Sequence, residues 1–347
     1  TLGSSATSGS ITLIGDSGIT LTGNLVSTDT ADGAIALTGP VTLAGDITVD
    51  ADANNTSVTF NSTATVNSDN TGTKRDLTIN TGAGAVAMQG IIGGSVALDA
   101  ISINAATAGA GTVEVANIAG AAGAVSIGNG ATATLTLDGT TYTSTGAQTY
   151  EANDINITAG ADVTFTTTNT AVEFQDGAAG QIVLSDATDL TITTSGGNIT
   201  IAPTIAGTDS GGGGNTAEDI TLNAAGGTVT LSNTGAAVLA TEIGDVTLTG
   251  ATIALSNSIT STGANSAGST ATIDINGAVT LNDNDITITT GGAGIDFSST
   301  IVSGSTTPRA LTIAQGAGAV VINGNIGGTA NNLSLIHISE PTRREYI

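Results

Sequence analysis

The sequence predicts an all-β chain wound as a parallel β-helix (a β-solenoid), and three observations carry that prediction. Apolar-Thr-apolar triplets recur from one end to the other, each closed by Gly, Asn, Asp or Ser. Short alternation with β-branched enrichment is a strand signal, and no stretch carries a helical period of comparable length. Aromatic residues make up only 2% and Trp is absent, so the apolar 39% is mostly Val, Ile, Leu and Ala. Such a palette fills a narrow stacked interior rather than a thick globular core. Strands this short bury their apolar side only by stacking coil on coil.

In chain order, Ile11-Thr12-Leu13 opens the series and Val41-Thr42-Leu43 repeats it. Asp76-Leu77-Thr78-Ile79 and Asp219-Ile220-Thr221-Leu222 add an acidic residue at the strand start, and Val279-Thr280-Leu281 closes the set. Phe60, Phe165, Phe174 and Phe297 fall at apolar strand positions and are assigned to the core. Tyr142 and Tyr150 bracket a Thr-Ser-Thr-Gly-Ala segment; they are expected to cap a coil edge, ring on the core and hydroxyl in water. The Gly run at 211–214 reads as a loop projecting from a coil, not a linker. Residues 1–332 therefore read as one continuous solenoid of degenerate repeats, with three strands per coil of roughly 20–25 residues.

Longer repeats overlie the triplets. RDLTINTGAGAVAMQGIIGG at 75–94 and RALTIAQGAGAVVINGNIGG at 309–328 are identical at most positions. Ser144-Thr145-Gly146-Ala147 matches Ser261-Thr262-Gly263-Ala264. The segment STGAQTYEANDINITAGADVTF (144–165), with the Arg-x-Leu-Thr-Ile and Gly-Ala-Gly-Ala-Val motifs, resembles the repeats of filamentous-haemagglutinin-like and related β-strand-repeat bacterial surface adhesins. That resemblance implies a right-handed helix, the hand that parallel crossovers also favour. It further implies an extracellular or cell-surface location and a structural or adhesive role, and it carries over no catalytic residue.

Composition changes sharply at Leu333. Residues 333–347 hold the lone histidine, His337, and two of the five Lys and Arg. Leu333 to Arg343 resembles, residue for residue, the translation of a sequencing adapter of the transposase type, so the tail is set aside as non-native. Its two arginines and two glutamates cancel, leaving the formal charge at −24. The chain is then expected to be a metagenomic fragment of a longer secreted protein.

With 29 Asp and Glu against five Lys and Arg, the surface repels nucleic acid and anionic membrane, which both need clustered cations. The expected partners are instead a host or neighbouring-cell surface or extracellular matrix. Cysteine is absent, which excludes disulfides, zinc–thiolate sites and thiol catalysis. Mean hydropathy is positive at +0.28, which argues against disorder despite the Gly, Ser and Thr content. No apolar run approaches the length of a membrane span.

Candidate sites reduce to three patterns. Asp46, Asp76, Asp154, Asp162, Asp189, Asp219, Asp245 and Asp285 each precede a strand; Asp there accepts a hydrogen bond from a backbone N–H two residues on and ends the turn. The alternative role is structural Ca²⁺, for which Asp50/Asp52, Asp186/Asp189 and Asp283/Asp285 are the local clusters. Second, alternation puts Thr20/Thr22, Thr134/Thr136, Thr164/Thr166, Thr191/Thr193, Thr228/Thr230, Thr247/Thr249 and Thr287/Thr289 in pairs on one face. Their intervals run from 19 to over 100 residues, so no constant coil length aligns them into an ice-binding array, and β-propensity accounts for them. Third, parallel β-helices also host polysaccharide lyases and hydrolases, which need converging carboxylates. Outside the tail the cations are only Lys74, Arg75 and Arg309. No catalytic, cofactor-binding or metal-ligating residue is assigned, and the chain reads as a non-enzyme.

Overall fold

The computed structural model describes residues 9–28, 33–106, 109–177, 180–186, 188–208, 217–232, 237–239, 243–262, 270–304, 307–328 and 333–339. Two compact units form, unit 1 (Thr1–Ala159 with Val163–Gln181) and unit 2 (Gly160–Asp162 with Ile182–Ile347). Each is a β-solenoid built from parallel strands, and the described helical structure is one 3₁₀ turn at Asp52–Asn54.

In unit 1 the chain visits three faces in rotation. The first face stacks Ile11–Ile14, Ile35–Thr38, Val58–Phe60, Val86–Met88, Thr112–Val115, Thr134–Leu137 and Asp154–Ile157. Alternation sends every second side chain inward, and the register keeps those side chains in columns. Ile35, Val58, Val86, Val113, Leu135 and Ile155 pair in succession, as do Leu37, Phe60, Met88, Val115, Leu137 and Ile157. All twelve are buried. Successive members of the first column lie 20 to 28 residues apart, so coil length varies while register holds. Burying one such aliphatic side chain contributes about 1.5–3 kcal/mol, which is how coils too short to fold alone are held.

The third face of unit 1 repeats the pattern with two departures. Its inward columns run Ile47, Leu77, Ile101, Val125, Gln148, Val172 and Val49, Ile79, Ile103, Ile127, Tyr150, Phe174. Gln148 thus stands in an apolar column at 0% exposure, and Tyr150 points into the core beside it. Tyr142 and Phe165, paired on the second face, complete an aromatic cluster. Their rings stack at 4.7 Å, those of Tyr150 and Phe174 stack at 5.1 Å, and the two pairs meet edge to face. The expected wet hydroxyls are therefore corrected. Tyr142 donates to the Val115 carbonyl (2.9 Å) and accepts from Gly139 N–H (3.0 Å). Tyr150 donates to Gln148 Oε1 (3.1 Å), and burial pushes both phenols up. The four phenylalanines lie in the core as expected.

Unit 2 has the same plan. On one face Leu190, Ile220, Val246, Ile273, Ile295 and Val320 pair in succession; beside them run Ile192, Leu222, Leu248, Ile275, Phe297 and Ile322. Two long strands, Ile243–Leu255 and Ile273–Leu281, turn a corner without breaking. Gly277 stands at that bend, where a Cβ would lie 2.2 Å from the Gly250 carbonyl oxygen. The step from Ile205 to its partner Leu239 is 34 residues. The 211–214 run lies outside the described residues, between Thr204–Gly207 and Glu218–Asn223. Leu335–Ser339, set aside on sequence grounds, pairs in parallel with Ala310–Ala314. An open sheet edge offers unpaired N–H and C=O groups to any segment of matching alternation, and Leu-Ile-His-Ile-Ser supplies it. The rest of the tail, 340–347, and Gly263-Ala264 are outside the described residues.

Corners share one device in both units. In Thr81-Gly82-Ala83-Gly84 the buried Thr81 hydroxyl donates to the Gly84 carbonyl (2.8 Å), and Gly84 N–H returns to the Thr81 carbonyl (2.8 Å). Gly82 has φ +57°, and a Cβ on Gly84 would meet the Thr56 carbonyl oxygen at 2.2 Å. The related segment Gln315-Gly316-Ala317-Gly318 closes the same ring, with Gly316 at φ +67°. Thr194 and Thr290 use their hydroxyls likewise, on Gly197 and Ala293.

Candidate functional site

Six of the eight strand-leading aspartates, Asp46, Asp76, Asp189, Asp219, Asp245 and Asp285, reach one coil onward, where each accepts a backbone N–H. Asp76 N–H donates to Asp46 Oδ1 (3.1 Å) and Ala100 N–H to Asp76 Oδ1 (2.9 Å). In unit 2, Asp219 N–H donates to Asp189 (2.9 Å), Asp245 N–H to Asp219 (2.7 Å), and Thr272 N–H to Asp245 (2.6 Å). Asp285 accepts from Ala310 N–H (2.8 Å). For these six the expected two-residue turn is corrected to a rung between coils. The physical reason is that the stack brings an equally placed N–H within reach, and that donor needs a partner at the corner. Asparagine does the same at Asn24, Asn67, Asn117 and Asn198.

Of the three Ca²⁺ clusters, Asp186/Asp189 and Asp283/Asp285 each commit one member, Asp189 or Asp285, to such a rung. Asp50/Asp52 is different. Asp52 N–H donates to Asp50 Oδ1 (3.1 Å), and Asn55 behind them is left-handed at φ +55°. Burial, then a hydrogen bond to Asp50 and its negative charge, raise the Asp52 carboxyl above its ordinary value. Among the described residues, no three His, Asp or Glu side chains gather at one metal-sized point.

Two of the predicted threonine pairs align, Thr191/Thr193 and Thr247/Thr249. Thr191, Thr221 and Thr247 stand in one outward column, with Thr193, Asn223 and Thr249 beside it. Thr228 pairs with Thr252, and Thr230 with Ala254. Corner loops absorb the differences in coil length, so, while Thr134/Thr136, Thr164/Thr166, Thr228/Thr230 and Thr287/Thr289 stand in other columns, Thr191/Thr193 and Thr247/Thr249 share one. The column then passes into Asp274 and Asp296, direct neighbours on adjacent strands. Burial, Asp296 and Asp245 raise the Asp274 carboxyl. Unit 1 carries a second hydroxyl column, Thr48, Thr78, Ser102, Ser126 and Thr149.

Cations are sparse. Arg75 pairs with Asp69 at 2.8 Å on an exposed loop, and Asn70 folds that loop by accepting from Gly72 and Thr73 N–H. Arg309 Nε donates to the Asn282 carbonyl (3.2 Å). An open groove of about 350 Å³ in the first coil is lined by Thr12–Gly15 and Gly18–Leu21, without a titratable side chain. Among the described residues, no helix is long and apolar enough to cross a membrane.

No family model matches the chain, and neither a curated protein nor a solved structure matches it. Fold and surface chemistry therefore carry the functional reading.

Proposed function

We propose that the chain is a structural and adhesive segment of a large secreted or cell-surface bacterial protein, acting as a stiff stalk or multivalent fibre. The observation that supports this reading is the repetition of outward polar columns, coil after coil, around an aliphatic interior. Repeated weak contacts raise avidity without any strong single site. The adhesin-like repeats at 75–94, 144–165 and 309–328 agree with it. Beads carrying the chain at high density are expected to hold cell layers or extracellular matrix at least about 100-fold more tightly than the free chain does. Equal binding by bead and free chain would rule the proposal out.

A Ca²⁺-stabilised matrix or surface-layer role is the second reading, favoured by the paired carboxylates of Asp50 and Asp52. It predicts a lower melting temperature in chelator than in millimolar Ca²⁺, and an Asp52→Asn variant that no longer responds.

A further inference from the structure

The unit 2 rungs use a charged group where an uncharged one suffices. The bond from each coil to the next requires only an acceptor oxygen. Asn198 supplies it to Thr228 N–H at 3.0 Å within the same unit. Asp189, Asp219 and Asp245 nevertheless follow one another on consecutive coils, each bonded to the backbone of the next. Stacked strands lie about 4.8 Å apart, and like charges directly opposite one another destabilise a sheet.

We propose that this carboxylate row is an acid-operated brace centred on Asp189: the carboxylates on the neighbouring coils oppose its charge near neutral pH, and the coils of unit 2 tighten when mild acid protonates Asp189. The groups bearing on Asp189 are Asp219, Asp162 and Asp245, all carboxylates. Asp186 precedes Asp189 by three residues, and Glu218, beside Asp219, is buried on the inward side of the strand. Asp274 and Asp296 continue the negative surface on the following strands. Arg309, the one Lys or Arg among the described residues of unit 2, directs its Nε to the Asn282 carbonyl.

Burial pushes the Asp189 carboxyl up, the bond from Asp219 N–H pulls it part of the way back, and the charges of Asp219, Asp162 and Asp245 add to the rise. A carboxyl raised in the folded state binds its proton more readily there than in the unfolded chain. Stability is then gained as pH falls from neutral through the raised value towards the ordinary one near about 4. A protonated carboxyl keeps a carbonyl oxygen for the rung, so the bond survives while the repulsion goes.

The test is the melting temperature of the full chain in low-salt, chelator-treated buffer, near neutral pH and at about pH 5. The wild type is expected to melt higher at the lower pH. Asp219→Asn keeps the acceptor and removes the charge; it should melt about 2–4 °C above wild type near neutral pH and lose part of the gain on acidification. Asp46→Asn is the control, because the Arg75 charge bears on Asp46, and it should show no such rise. Asp219→Ala removes the acceptor and should melt lower at both pH values. The proposal fails if Asp219→Asn melts at or below wild type near neutral pH. It fails equally if that variant keeps the whole acid-induced gain.

Discussion

At the scale of single residues, the corners carry more specificity than the strands. Thr81 is buried, donates to Gly84, accepts from Asn104 Nδ2 (2.8 Å) and donates its own N–H to Asn104 Oδ1 (2.8 Å). Thr81→Val leaves two of these partners unpaired, and a denaturant melt should show a loss of about 1–3 kcal/mol. Gln148 is the interior counterpart. Its Nε2 faces the carbonyls of Tyr142 and Thr166 and the Ser144 hydroxyl, each at 3.0 Å, while its Oε1 accepts from Tyr150. Gln148→Leu preserves the volume but strands the Tyr150 hydroxyl, and the same melt should again fall by about 1–3 kcal/mol. These residues were hard to read from the sequence for a definite reason. Gln148-Thr149-Tyr150 alternates like any strand, but nothing local states that Gln148 and not Thr149 faces inward; the column of Val125 and Val172 decides it. The Thr-x-x-Gly spacing at 81–84 and 194–197 is the signal that could have identified the corners.

At the scale of elements, the strands were legible and their alignment was not. Val41-Thr42-Leu43 and Val279-Thr280-Leu281 announce themselves by period-two alternation; the first is a strand and the second the end of Ile273–Leu281, each with its Val and Leu buried. Coil length varies too widely for register to follow from counting, so the columns of Thr191, Thr221 and Thr247 emerge only in three dimensions. The same holds for the aspartates. A carboxylate before a strand has two donors within reach, one in its own turn and one on the next coil, and the sequence does not rank them. Register makes a further prediction about packing. Leu248 sits between Leu222 and Ile275, fully buried. Leu248→Ala opens a cavity that the stacked neighbours cannot close, and equilibrium unfolding should report a loss of about 2–5 kcal/mol. Thr247→Ala, one position along and facing outward, should stay within about 0.5 kcal/mol of wild type.

At the scale of the whole molecule, charge sets the conditions under which the fold is firm. A formal charge of −24 makes self-repulsion a general cost that salt screens. Among Asp52, Asp189 and Asp274 every shift is upward, each caused first by burial. By the sign of linkage, these carboxyls add stability as pH falls from neutral towards about 4, and the gain is lost as pH rises through their raised values. Asp69 moves the other way through its hydrogen bond to Arg75, on an exposed loop. Added sodium chloride near neutral pH should therefore raise the melting temperature; a fall would show that attractive pairs outweigh the repulsion.

The fold depends on consecutive coils meeting in parallel, residue opposite residue. Because the chain has no cysteine, paired cysteines can read that register directly. Ser102 faces Ser126, and Ser126 faces Thr149 one coil further on. Neighbouring strands lie about 4.8 Å apart, within the span a disulfide bridges. Oxidation of a Ser102→Cys/Ser126→Cys variant should give a near-complete intrachain disulfide, whereas Ser102→Cys/Thr149→Cys, two coils apart, should stay reduced. Equal cross-linking of the two variants, or none in the first, would contradict the stacked-coil fold.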